Sequence, residues 1–152
     1  MRGVIWTGAL AVVLGLALGP RPVDAADAPR PHRVVVQVDL NDPTVMNQAL
    51  NNVENIVEHY NHAGQEVQVE VVAYGPGLHM LRDDTSPVKD RVKRLAEDTL
   101  PPVRFSACGV TKAGMEKREG KTVPIVPQAH VVPSGAVRLI ELQEQGWSYL
   151  RP

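Results

Sequence analysis

Cysteine is almost missing from this chain: 152 residues include one, Cys108. No intramolecular disulfide can form, so the core alone must hold the fold. With no second cysteine at CxxC spacing, dithiol exchange of the thioredoxin kind within one chain is excluded. Charge of one sign is lacking too, the formal net charge being -1. That balance excludes a strong field for nucleic acid or a membrane surface. No Gly-x-Ser-x-Gly elbow is found, which weakens a serine-hydrolase reading. Internal repeats and low-complexity tracts are absent as well. What remains is ordinary globular composition, 43% hydrophobic and 22% charged, at a length that predicts one domain.

The first thirty residues do not match the rest. Arg2 supplies a positive charge, and Val4 to Gly19 follows without a charged residue. After Pro20 and Pro22, Val23-Asp24-Ala25 offers the small or neutral residues that a signal peptidase needs. The run is short for a bilayer span, and the three parts together predict a secretory signal over residues 1–25, cut after Ala25. No cysteine directly follows the run, so a lipoprotein anchor is not expected. The predicted location is periplasmic or secreted, with no membrane attachment once the signal is removed. Loss of Arg2, Arg21 and Asp24 takes the formal charge from -1 to -2. About 127 residues remain, enough for one core without staples. Residues 26–32 read as a disordered lead-in and 33–152 as the domain. An odd thiol in an oxidising compartment is either well buried or useful.

From Arg33 the chain alternates β-branched runs with helical stripes. Val34-Val35-Val36-Gln37-Val38 is continuous enough for a strand buried on both faces. Asn41-Asp42-Pro43 supplies cap and first-turn chemistry for a helix. Met46, Ala49, Leu50, Val53, Ile56, Val57 and Tyr60 then share one helical face, with Gly64 as the stop. Val67, Val69 and Val71 alternate with Gln68 and Glu70 in a second strand, which Gly75-Pro76-Gly77 breaks as a tight turn. Beyond a polar loop, Ser86-Pro87 opens a helix whose stripe is Val88, Val92, Leu95 and Ala96. Val103 to Ala107 forms a third strand delivering Cys108-Gly109, and 110–118 a short helix. His130-Val131-Val132 is a fourth strand. Ser134 caps a helix with a broad apolar face of Ala136, Val137, Leu139, Ile140 and Leu142, and Trp147 to Leu150 makes a final strand.

Strands alternating with helices across short loops imply an α/β fold with a mainly parallel sheet of about five strands, covered on both faces. Ligands of such sheets sit beyond the carboxyl ends of the strands. The candidate site is therefore Cys108, with Tyr74, Gly75, Gly77, Gly109, Thr111 and Ser134 as candidate ligand-binding residues. A strand-to-helix junction stabilises a thiolate through free N–H groups and the positive helix end. That suits Cys108 to be a nucleophile or sulfur carrier. The competing reading is a packed cysteine acting as a small hydrophobe. Gly75-Pro76-Gly77 lacks the third glycine of a dinucleotide fingerprint and does not follow the first strand. His59 and His62 could chelate, but two ligands near a helix C-terminus have a simpler dipole explanation, so no metal is expected. Lys89, Arg91, Lys93 and Arg94 are interleaved with Asp90 and read as a solvated helix face, so no nucleic-acid partner is expected.

The Val-rich first strand, Val-Val-Ala-Tyr-Gly-Pro-Gly at 71–77, Phe105-Ser106-Ala107-Cys108-Gly109, Val131-Val132-Pro133-Ser134-Gly135 and the closing 142–149 stretch resemble the DsrE/DsrF-like family, of YchN-like fold. The resemblance covers residues 34–152, and the order and spacing of these short motifs carry it. It implies a three-layer α/β/α sandwich and assembly into homo- or hetero-oligomers, often trimers or hexamers. It also implies that Cys108 accepts sulfur as a persulfide, passing it between donor and acceptor proteins without a cofactor. The expected function is thus an exported sulfur carrier or sulfurtransferase. Two alternatives stand beside it: a non-catalytic oligomeric module binding a small ligand, and a redox-sensing thiol.

Overall fold

A strand with valines on both faces needs apolar cover on both sides, and the order of the chain supplies it. The computed structural model describes residues 30–152 together with Gly3. The expected signal over 1–25, Gly3 apart, and residues 26–29 of the expected lead-in lie outside the described residues. β1 (His32–Val38) is followed by α1 (Pro43–His62) and β2 (Val67–Ala73). His32, expected in the lead-in, is the first residue of β1. Its N–H donates to the Glu66 carbonyl at 2.8 Å, and its ring stacks on Tyr60 at 3.9 Å. α1 begins where Asp42 accepts the Thr44 N–H at 2.7 Å with Pro43 in the first turn, and it buries Met46, Ala49, Leu50, Val53 and Val57.

The tight turn expected at Gly75-Pro76-Gly77 is instead the start of a 3-10 helix, Gly75–Leu81. Gly75 makes the bend at φ +53, and Leu78, Met80 and Leu81 are fully buried. The stretch read as a polar loop is thus partly core. Its anchor is Arg82, 2% exposed, which donates to both oxygens of Asp84 at 2.9 and 2.8 Å and to Glu119. The Arg82 hydrogen bonds hold the Asp84 carboxyl at about 2, below its ordinary 3.8. A carboxylate depressed in the folded state stabilises it fully above the ordinary value and loses that contribution as pH falls toward 2. Melting temperature is accordingly expected to drop across this acid window less in Asp84→Asn than in the wild type. Equal drops in the two proteins would disprove the assignment.

α2 (Lys89–Glu97), β3 (Arg104–Cys108), α3 (Gly109–Glu119), β4 (Ala129–Val132), α4 (Gly135–Glu144) and β5 (Ser148–Leu150) complete the chain. All five strands are parallel, in the order β4-β3-β2-β1-β5. From β1 to β4 the chain steps one way across the sheet, so right-handed crossovers put α1, α2 and α3 on one face. The return from β4 to β5 runs the other way and places α4 alone on the opposite face. The result is an α/β/α sandwich of unequal layers. Twenty-three buried residues, with Phe105, Leu50 and Met80 among the largest, form the core under α1, α2 and α3. Only Val35, Val72, Leu139 and Leu142 form the core under α4. One helix on a sheet buries one stripe, so the broad apolar face expected of α4 is divided. Leu139 and Leu142 point inward, whereas Val137 and Ile140 are 50% and 55% exposed. Among the described residues, no helix is long and apolar enough to cross a membrane.

Candidate functional site

The change of direction in this topology fixes the site. α3 leaves β3 on one face and α4 leaves β4 on the other, so the carboxyl ends of these neighbouring strands are a switch point where a crevice opens. Cys108 is the last residue of β3 and the N-cap of α3. Phe105 and Ala107 turn into the larger core, which leaves Ser106 and Cys108 on the α4 face. Gly109 keeps the junction tight, since a Cβ there would stand 2.9 Å from the Val132 carbonyl oxygen.

Above the thiol lies the first turn of α4. Ser134 caps it by accepting the Val137 N–H at 3.5 Å. A Cβ on Gly135 would meet Tyr74 Cβ at 2.8 Å and Cys108 Cβ at 3.2 Å, so glycine alone lets this turn rest on both residues. The sulfur consequently lies between two helix starts. From α3 the Thr111 N–H donates to Sγ at 3.4 Å, from α4 the Gly135 N–H acts on the sulfur, and the Val110 N–H donates to the Pro133 carbonyl at 3.2 Å, which ties the two helix starts together. The Thr111 hydroxyl accepts the Gly75 N–H at 2.9 Å and is the strongest of the groups that lower the thiol. Burial, with Cys108 4% exposed, pushes the thiol up; the Thr111 hydroxyl and the Gly135, Thr111 and Val110 N–H groups outweigh it and leave the thiol below its ordinary value. A thiol titration is therefore expected to give a midpoint below that of an ordinary cysteine, and a midpoint at or above it would remove this picture.

The sequence profile of the DsrE/DsrF-like family matches residues 38–152, from the end of β1 through Cys108 to the last residue. The chain belongs to the DsrE/DsrF-like family. Membership associates it with a sulfur-relay-related role in broad terms. A solved structure titled as that of a protein of unknown function, MTH1491 from Methanobacterium thermoautotrophicum, is similar to this DsrE-like chain at 31% identity and a TM-score of 0.67. The match covers 80% of this chain and 99% of that one. No curated protein matches it.

The expected site residues of this DsrE-like domain divide between two places. Cys108, Tyr74 and Thr111 meet around the sulfur, with Gly109 and Ser134 starting the two helices. Gly75 and Thr111 also line a crevice of about 550 Å³ between the 3-10 helix and α3, together with His79, Val110, Met115 and Arg118. Gly77 is in neither place. It is buried against β1, where a Cβ would stand 2.3 Å from the Val38 carbonyl oxygen. His59 and His62 lie exposed in the last turn of α1, His59 edge-on to Tyr60. Among the described residues, no group of three or more His, Cys, Asp or Glu side chains could hold a metal ion.

Sequence reasoning missed a buried ionic cluster on the α4 face. Glu70, fully buried in β2, accepts from Ser106 Oγ at 2.7 Å and from Arg138 Nε and Nη2 at 2.7 Å each. The alternation of Val69 and Val71 with Gln68 and Glu70 reads as a half-solvated strand. The one available sign was a hydroxyl, Ser106, inside the apolar third strand.

Proposed function

We propose that this protein carries sulfane sulfur on Cys108 as a persulfide and relays it between partner proteins outside the cytoplasm. The observation that carries the reading is the convergence of two helix starts on one sulfur at the switch point, in a chain of this family. In the uptake step the Cys108 thiolate attacks the outer sulfur of a donor persulfide. A new S–S bond forms on Sγ, the donor's S–S bond breaks, and the donor leaves as a thiolate, so no external oxidant is required. In delivery an acceptor thiolate attacks the outer sulfur and Cys108 leaves as a thiolate. The N–H groups of Thr111 and Gly135 favour the anionic sulfur in both roles.

Export rests on the Val4–Gly19 run and the Val23–Ala25 site. Assembly into a homo-oligomer is part of the reading and is supported by Val110, Val131, Val137 and Ile140, each half exposed or more. Incubation with polysulfide followed by intact-mass measurement tests the carrier role. The wild type is expected to gain sulfur that a reducing agent removes, and absence of any gain would overturn the proposal. A second reading draws on the 4% exposure of Cys108 and on the crevice beside α3: a ligand-binding module with a packed thiol. It predicts slow alkylation of the native protein. A redox-sensing disulfide would have to join two subunits, since the chain has one thiol.

A further inference from the structure

The first turn of α4 has to be held on Cys108 for Gly135 to serve the sulfur, yet α4 is anchored by only two fully inward apolar side chains, Leu139 and Leu142. Its other anchor is ionic. Arg138, one turn after Gly135, is 22% exposed and reaches down to Glu70 through two parallel hydrogen bonds. Glu70 is itself fixed by Ser106, and Arg104 stands 3.9 Å away as a more distant cation. The sheet register places this cluster directly behind the site. Val72 pairs with Ser106, so Glu70 and Val72 of β2, with Tyr74 just past its end, stand beside Ser106 and Cys108 of β3 on the same face. A paired guanidinium and carboxylate fix direction as well as distance, which a small apolar contact does not.

We propose that the Glu70–Arg138 pair is a positioning device for Cys108, setting the rotation and height of α4 so that its first turn, at Gly135, seats on the Cys108 side chain. Arg138 and Glu70 touch no reacting atom and act through the helix start. Glu70 is fully buried and Arg138 partly so, and a hydrophobic replacement of equal volume would serve stability as well or better. Its directional geometry is what such a replacement would lose. The ionisable groups near the sulfur are Tyr74 and, beyond it, Asp39, Tyr149 and Arg151, while Glu141 lies by Arg138. None of them replaces the bridge from sheet to helix.

The test is the pH profile of Cys108 alkylation by iodoacetamide in the full protein. Glu70→Gln keeps the shape of the side chain but gives up the charge, and alkylation near neutrality is expected to slow roughly three- to tenfold as the profile moves to higher pH. Arg138→Lys is expected to shift it the same way by a smaller amount, because an ammonium cannot reproduce the two parallel bonds; it also keeps the test open if Glu70→Gln does not fold. Val57→Ala, in the core on the opposite face, should lower the melting temperature and leave the profile in place. The proposal is overturned if the folded Glu70 and Arg138 variants keep the wild-type profile, or if Val57→Ala shifts it equally. The inference depends on Cys108 being the site thiol and not on sulfur transfer. A wild type that alkylates readily but takes up no sulfur would remove the relay and leave the positioning role standing.

Discussion

Cys108→Ser is expected to take up no sulfur from polysulfide while keeping the fold and melting temperature close to those of the wild type. The hydroxyl is smaller than the thiol and can accept the Thr111 N–H that now points at Sγ, so that donor is not left unsatisfied. The chemistry is lost completely, because an alcohol at its ordinary acidity does not attack a sulfane sulfur and no other thiol exists in the chain. Intact-mass spectra of both proteins, taken before and after a reductant, decide the matter. Sulfur retained by the serine variant would mean that it is bound without a bond to Cys108, and the carrier role would fall.

The largest loss of stability is expected from Gly77→Ala. A single methyl would stand 2.3 Å from the Val38 carbonyl oxygen, 2.6 Å from its carbon and 2.7 Å from the Asp39 nitrogen. All three are backbone atoms at the end of the central region of the sheet, and the same Val38 carbonyl accepts the Tyr74 N–H at 3.1 Å. Neither side can yield by changing a rotamer. A cost of about 3 kcal/mol or more follows, a large part of the ~5–15 kcal/mol that stabilises a typical domain. Gly114→Ala is the comparison. There the new methyl meets only the movable tip of Arg118 at 3.4 Å, inside a helix where alanine is favoured by up to about 1 kcal/mol. Denaturant melts of the two variants should move in opposite directions. If both are neutral, the close approach of the 3-10 helix to β1 is wrong.

Much of this architecture could be read from the chain. The periods of the valine runs and of α1 set the elements, Asp42, Pro43 and Ser134 marked helix starts, and Cys108 stood out as the only thiol at a strand end. The chain could not reveal which face each helix covers, because this depends on strand order, and strand order is a property of long-range pairing. Val137 and Ile140 therefore looked like core, as did Leu139. The same limit hid Glu70, whose alternation with valines is that of a solvated position until Arg138, 68 residues later, is laid over it. Gly77 looked like part of a ligand loop because glycine signals close approach without saying to what. Here it is the chain's own β1.

The unequal layers also bear on how the thiol can be reached. Sub-global opening costs least where few apolar groups are released, and the α4–β5 end of the chain has the small cluster and a three-residue edge strand. Lifting that end uncovers Cys108 and leaves the 23-residue core of the other face closed. Access to the thiol then follows local opening of this end and not unfolding of the whole domain.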